Sequence, residues 1–151
     1  MRAVTPNAAD HEGLRPGDSR FVDVASMPWE PTAFPGVYAK TLLVDPGTGL
    51  LTALLRMEPG AVLPDHEHVR IEQTFVLEGS LDDPEGSCKA GDFVWRPPGS
   101  RHEAHAPDGG LYLAIFQVPN RFFAADGGEH DMLGRDWAEH WAEAGNLKVG
   151  R

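Results

Sequence analysis

Residues 60–79 read GAVLPDHEHVRIEQTFVLEG, and residues 91–102 read GDFVWRPPGSRH. In the first stretch His66 and His68 stand two positions apart, and side chains at that spacing point to the same face of a β-strand. Both imidazoles are therefore predicted to lie close enough together to bind one ion. Glu72 follows four positions after His68, a step in which a bend of the strand can return a carboxylate to that face.

The second stretch ends in His102, just after the proline–glycine turn at residues 97–99. A neighbouring strand that begins at this turn can aim His102 into the same interior as the other two histidines. Three imidazoles and one carboxylate leave one or two positions open on a six-coordinate divalent ion, and an open position is typical of a catalytic metal site. The predicted metal ligands are His66, His68, Glu72 and His102.

The rest of the chain consists of short apolar runs separated by turns that are rich in proline and glycine. This pattern is typical of an all-β sandwich or barrel. It predicts strands at residues 20–24, 37–44, 50–57, 61–66, 73–77, 92–95 and 111–118. We expect a single, mainly β domain over residues 19–151, preceded by a flexible arm at residues 1–18.

One short C-terminal helix is predicted, over about residues 136–144. Asp136 can cap its first turn, and Gly145 can end it. Trp137 and Trp141 lie four positions apart, which puts both on one face of the helix. We expect this face to pack against the β domain.

Composition limits the partners of this chain of 151 residues. Its formal net charge of −10 disfavours nucleic acid and anionic membrane surfaces. No apolar run approaches the ~20 residues of a membrane span, and the N-terminal residues lack the apolar core of a secretory signal. The single cysteine, Cys88, excludes an internal disulfide and suits a reducing compartment. We therefore expect a cytoplasmic protein that binds neither nucleic acid nor membrane.

The two quoted stretches resemble the signature motifs of the cupin superfamily. The matching positions are Gly60, His66, His68, Glu72 and Gly79 in the first motif, and Gly91, Pro97, Gly99 and His102 in the second. The asparagine that often follows the last histidine is replaced by Ala106, which removes no predicted ligand. The resemblance implies an RmlC-like jelly-roll β-barrel with a divalent metal ion in its mouth, and it implies a homodimer.

Two narrower resemblances indicate particular kinds of cupin. Residues 75–86 and 90–102 resemble the ChrR-type cupin, the zinc-binding half of certain anti-sigma factors. The sigma-binding helical domain of those factors has no counterpart in this sequence, so an anti-sigma role is not expected. Residues 119–137 are similar to the tails of small cupin dioxygenases, which cleave acetylacetone or dihydroxyacetophenone with iron held by three histidines.

The dioxygenase resemblance implies Fe(II) as the metal, a small β-dicarbonyl compound or hydroxyketone as the substrate, and O2 as the co-substrate. Glu72 is then either a fourth metal ligand or a catalytic base beside the metal, and the motif spacing favours ligation. Two alternatives stay open: a non-catalytic module that senses a metal or a small molecule, and a metal-dependent isomerase or lyase that acts on a sugar or keto acid. Zn, Ni and Mn are alternatives to Fe, because three imidazoles bind all of these metals.

Overall fold

The computed structural model describes residues 3–45, 47–117, 120–123 and 127–130. The described residues form eleven β-strands and two short 3-10 helices, Ala9–His11 and Val24–Ser26. The strands are β1 (Glu30–Pro31), β2 (Val37–Asp45), β3 (Leu50–Met57), β4 (Ala61–Glu67), β5 (Glu72–Asp83), β6 (Gly86–Lys89), β7 (Phe93–Arg96), β8 (Arg101–Ala106), β9 (Gly110–Phe116), β10 (Arg121–Phe123) and β11 (Glu129–His130). No helix in these ranges has the length and apolar character needed to cross a membrane.

The strands form a curled sheet with the order β1-β2-β3-β9-β5-β8-β4-β10-β11, and β6 and β7 pair with β5 outside this path. The long strand β5 pairs with four other strands. Its first part pairs with β7 and β9, and its last part pairs with β6 and β8. Every one of these pairings is antiparallel, as expected when short turns join successive strands. The predicted mainly β, single-domain jelly-roll is confirmed.

A β-bulge turns His66 of β4 toward the interior. Leu63 is buried, and a regular strand would place Asp65 inward next. The register between β4 and β8 shifts between Leu63 and His66, so that His66 pairs with His102. Pro64 lies in this shift, a position that tolerates a residue without a backbone N–H donor. The bulge therefore buries the histidine and leaves the aspartate nearer to the surface.

Gly79 ends the first motif at a position where a side chain does not fit. Its φ angle is +70°, in the left-handed region, and a Cβ atom added there would lie 2.0 Å from the carbonyl oxygen of Gly109. That carbonyl accepts a hydrogen bond of 3.2 Å from the backbone N–H of Ser80. The motif glycine is thus explained by the close approach of β5 to the turn before β9.

Some predicted elements differ from the structure. The strand predicted at residues 20–24 is wrong: the side chain of Asp23 accepts a hydrogen bond from the backbone N–H of Ser26 and begins a 3-10 helix instead. The prediction also omitted β1, β6, β8, β10 and β11, and it ended the strand that begins β5 at residue 77 instead of residue 83. In the N-terminal segment, Val4 pairs with Val44 of β2. The helix predicted at residues 136–144 lies outside the described residues.

Candidate metal centre

Three histidines from neighbouring strands converge in the interior. His66 lies in β4, His68 follows that strand directly, and His102 lies in β8. Their exposed fractions are 2%, 0% and 9%. The ligand nitrogens of the three rings lie within 4.8 Å of one another, and the Nε2 atoms of His68 and His102 are 2.9 Å apart. The structure thus brings together the three histidines that the motifs singled out.

The two sequence motifs are joined through their backbones. The N–H of His68 donates to the carbonyl of Ser100 at 2.9 Å, and the N–H of Gly99 donates to the carbonyl of His68 at 2.8 Å. Gly99 has a φ angle of +85°, which glycine adopts without steric cost. This turn begins β8 and thereby aims His102 at the other two rings.

Two of the imidazoles have Nδ1 within hydrogen-bond distance of an oxygen atom. Nδ1 of His66 lies 2.8 Å from the carbonyl oxygen of Pro64, and Nδ1 of His102 lies 2.9 Å from Oδ2 of Asp83. Because these oxygens are acceptors, we assign the proton to Nδ1, which leaves a lone pair on Nε2. Burial, together with the adjacent His68 ring, lowers the pKa of His66 to about 4. His66 is therefore neutral at pH 7 and able to bind a metal ion.

Glu72 lies beside His68. Its Oε2 atom is 3.0 Å from Nδ1 of His68, although the angle of approach does not make a hydrogen bond and this buried Nδ1 has no other partner. The hydroxyl of Thr74 donates to Oε1 at 3.1 Å, and the amide of Asn120 donates to Oε2 at 2.9 Å. Burial by itself raises the pKa of Glu72, but the neighbouring His68 and His66 rings and the hydrogen bond from Asn120 outweigh it and lower this pKa to about 2. The carboxylate is ionised at neutral pH.

A buried ion pair lies behind His102. Nη2 of Arg96 is 2.6 Å from Oδ2 of Asp83, and the two side chains are 9% and 3% exposed. Burial and the positive charge of Arg96 lower the pKa of His102, while Asp83 opposes this shift. Burial by itself raises the pKa of Asp83, but the backbone N–H of Glu85 and the charge of Arg96 outweigh it and lower this pKa.

A cavity of about 20 Å³ lies against the histidines, with His66, Glu72 and His102 in its wall. A cavity of this volume has room for about one water molecule. The remaining wall is mainly apolar and includes Leu55, Met57, Leu81 and Phe116. A molecule that reaches the histidines through this space is therefore small, and its apolar atoms contact hydrocarbon.

These residues fit a divalent metal ion. Imidazole nitrogens are ligands for Fe, Zn, Ni and Cu, and the three rings converge on one point in the interior. Two ionised carboxylates, Glu72 and Asp83, and one guanidinium surround them, so the fixed charge near the rings favours a dication. His66, His68 and His102 would hold the ion, and three ligands leave coordination positions for a substrate.

Sequence reasoning missed three polar side chains around the histidines: Asp83, Thr74 and Asn120. Asp83 is 19 residues from His102, and Asn120 is 48 residues from Glu72. No local spacing connects residues so far apart. Thr74 carries a usable signal, because it stands two positions after Glu72 and so shares its face of the strand.

The jelly-roll, with a His-x-His pair beside one strand and a third histidine on the next, defines a cupin-type barrel. The model of the ChrR cupin-like domain matches residues 18–121, and the chain belongs to this family. No curated protein matches the chain.

Solved structures agree with this classification. A candidate acetylacetone dioxygenase from Methylibium petroleiphilum has a TM-score of 0.69 and 25% identity over 83% of this chain and 95% of that chain. An acetylacetone dioxygenase from Acinetobacter johnsonii has a TM-score of 0.68 and 20% identity over 84% and 91%. The structure of Rhodobacter sphaeroides SigE in complex with the anti-sigma ChrR has a TM-score of 0.54 and 26% identity over 62% and 50%. The predicted cupin fold and the likeness to ChrR-type and acetylacetone-cleaving cupins are confirmed.

Proposed function

We propose that this protein is an Fe(II)-dependent dioxygenase that cleaves a carbon–carbon bond of a small β-dicarbonyl compound or hydroxyketone. The observation that carries the proposal is the group of three buried histidines, whose ligand atoms lie within 4.8 Å of one another. The mainly apolar wall beside them suits the hydrocarbon part of a carbonyl compound better than it suits a sugar. The likeness to a candidate acetylacetone dioxygenase at 25% identity supports the reaction class.

Fe(II) held by His66, His68 and His102 would supply a Lewis acid for the enolate of the substrate and a centre for O2 chemistry. Protein groups around this position orient the histidine rings. The oxygens beside Nδ1 of His66 and His102 hold these rings in the tautomer that presents Nε2. The apolar wall of the cavity would contact the hydrocarbon part of the substrate.

We assign an orienting role to Glu72. Oε2 of Glu72 lies 3.0 Å from Nδ1 of His68, and the hydroxyl of Thr74 and the amide of Asn120 donate to the two carboxylate oxygens. In this position the charge of Glu72 would stabilise a proton on Nδ1 of His68. The ligation predicted from the motif spacing stays a prediction, and the effect of Glu72→Gln on metal affinity distinguishes the two roles.

Oxygen uptake tests the proposed reaction. Purified protein is stripped of metal, reconstituted with Fe(II) without oxygen, and then mixed in aerated buffer with acetylacetone, other β-diketones and hydroxyacetophenones. We expect uptake of O2 by the wild type and by His105→Ala, and none by His102→Ala. His105 is a matched control, because it lies in the same strand with its side chain 44% exposed and 2.7 Å from Glu103. A wild type that consumes no oxygen with any of these compounds contradicts the proposal.

A second candidate function is a non-catalytic module that binds zinc or a small molecule. Membership of the ChrR cupin-like family and the 26% identity to the SigE–ChrR structure support it. The same three histidines would hold the metal. Zinc that stays bound through purification, together with no oxygen uptake after loading with iron, would favour this function over the dioxygenase.

We also propose that the protein forms a homodimer through an apolar face of the sheet. Phe75, Leu77, Phe93 and Trp95 are 41%, 42%, 52% and 57% exposed, and Phe75 lies opposite Phe93 on the paired strands β5 and β7. A contiguous exposed apolar patch of this kind is typical of a protein contact. Light scattering should give twice the 16.4 kDa of one chain and a lower mass for Phe93→Glu. A monomeric wild type contradicts the dimer.

A further inference from the structure

The side chain of Asp83 connects a candidate metal ligand, a buried cation and a turn. Its Oδ2 atom accepts a hydrogen bond from Nδ1 of His102 at 2.9 Å and forms an ion pair with Nη2 of Arg96 at 2.6 Å. Its Oδ1 atom accepts from the backbone N–H groups of Glu85 and Gly86 at 2.7 Å and 3.0 Å, in the turn between β5 and β6. Three hydrogen bonds and one ion pair satisfy the carboxylate and fix its position.

The hydrogen bond between Asp83 and Nδ1 of His102 determines which ring nitrogen of His102 is free to bind a metal ion. A carboxylate accepts the proton of Nδ1 and so selects the tautomer in which Nε2 has a free lone pair. A hydrogen bond to an ionised group is also stronger than one to a neutral group. His66 has only the neutral carbonyl of Pro64 behind it, and Nδ1 of His68 makes no hydrogen bond. Among the three rings, His102 therefore has the strongest support.

Arg96 in turn holds Asp83. It stands at the end of β7, in register with Glu72 of β5, and its side chain is buried. A buried carboxylate without a cation is strongly unfavourable, and the ion pair with the guanidinium offsets part of that cost and restricts the carboxylate rotamer. The second carboxylate near Arg96, at 3.7 Å, belongs to Glu85, which is 81% exposed and so interacts weakly.

We propose that Asp83 and Arg96 are positioning residues, which hold His102 in the orientation and tautomer that bind a metal ion through Nε2. The proposal rests on the metal site proposed above. Both residues act through His102, and neither belongs to the group of converging ligand atoms.

Zinc affinity, measured by competition with a chelator, tests the role of Asp83. We expect Asp83→Asn to weaken zinc binding by about 10- to 100-fold, the usual effect of losing a partner behind a metal-binding histidine. The matched control is Asp82→Asn, one residue earlier, whose side chain accepts a hydrogen bond from Ser87. Its affinity should stay within about twofold of the wild type. Equal affinities for the two variants would overturn the proposal.

The role of Arg96 is tested by combining Arg96→Met with Asp83→Asn. Because Arg96 acts through Asp83, Arg96→Met should weaken zinc binding in the wild-type background and add little to Asp83→Asn. Effects that simply add would overturn this part of the proposal.

The ¹⁵N signals of the histidine rings in the metal-free wild type give a test that needs neither a variant nor bound metal. We expect His102 to carry its proton on Nδ1. A proton on Nε2 would overturn the proposal. A wild type that has the expected tautomer and yet binds no zinc would contradict the proposed metal site and support the positioning of His102, so the two failures are distinguishable.

Discussion

The first part of β5 departs from the usual distribution of polar and apolar side chains on its two faces. The inward face carries Glu72 and Thr74, which are 8% and 3% exposed, whereas the outward face carries Phe75 and Leu77, which are 41% and 42% exposed. In most antiparallel sheets the pleat places apolar residues inside and polar residues outside.

The buried polar side chains and the exposed apolar side chains of β5 each need neighbouring groups that stabilise them. Inside, the carboxylate of Glu72 receives hydrogen bonds from Thr74 and Asn120 and lies beside His68. These groups offset the cost of burying a charge, and they also surround the proposed metal ligands. Outside, the apolar side chains are still exposed in the part of the chain that the structure describes, which is why we propose that a second copy covers them. In the proposed account, the inner face supports a metal ion and the outer face contacts a second copy of the chain.

The largest expected effect comes from removing a ligand on the inner side. We expect His66→Ala to lower bound zinc from one ion per chain to below about 0.1, because two imidazoles hold an ion far more weakly than three. Metal analysis after desalting measures this. His105→Ala, on the outer side of β8, should keep the full amount. Full occupancy in His66→Ala would show that the ligand set is wrong.

Acid should destabilise the metal-free protein because the buried imidazole of His66 resists protonation. The pKa of His66 is about 4 in the folded state, against 6.5 for the free side chain. Between these values the unfolded chain takes up a proton that the folded chain does not. The stability is complete above pH 6.5, and by pH 4 the free energy of unfolding should fall by about 3 kcal/mol.

Urea unfolding at pH 7, 5.5 and 4 in the presence of a chelator measures this change. The variant His66→Gln lacks the titrating group and should lose this part of the pH dependence. An unchanged dependence in His66→Gln would mean that other groups cause the acid sensitivity.

The variant Glu72→Gln tests what the buried carboxylate contributes. If Glu72 orients His68, zinc affinity should fall by about 10- to 100-fold. A loss above about 1000-fold would indicate direct ligation. The matched control is Glu78→Gln, which removes the same charge from an exposed position of the same strand and should change the affinity by less than about twofold.

The smallest expected effect compares two neighbouring apolar residues on opposite faces. Val76 is fully buried and Leu77 is 42% exposed. Val76→Thr places a hydroxyl of similar size in the core and should lower the free energy of unfolding by about 1–2 kcal/mol. Leu77→Thr should change it by less than about 0.5 kcal/mol when measured in dilute monomer. Equal effects on urea unfolding would mean that the two faces do not differ as described.

Local patterns predicted much of the fold. The apolar run at residues 50–57 coincides with β3, because a turn bounds it on each side and its length suits one strand. The spacing of His66 and His68 predicted two rings on one face, and both are buried. The turn at residues 97–99 delivers His102 as expected, since Gly99 bonds to the backbone of His68.

Contacts between distant residues could not be predicted in this way. The inward positions of β8 carry His102, Ala104 and Ala106, so the strand lacks the bulky apolar alternation that marks a strand in sequence. It forms because it pairs with β4. The bond from His102 to Asp83 likewise joins two strands, and its partners are 19 residues apart. At residues 20–24 a strand was predicted where none forms. The reason is that the side chain of Asp23 caps a local 3-10 turn.

A zinc titration followed by ¹⁵N NMR of the histidine rings tests the central claim most directly. We expect the Nε2 signals of His66, His68 and His102 to shift together and to saturate at one zinc ion per chain, while Nδ1 of His66 and of His102 stays protonated. Shifts confined to other histidines, or binding through Nδ1 of these rings, would contradict the proposed metal centre.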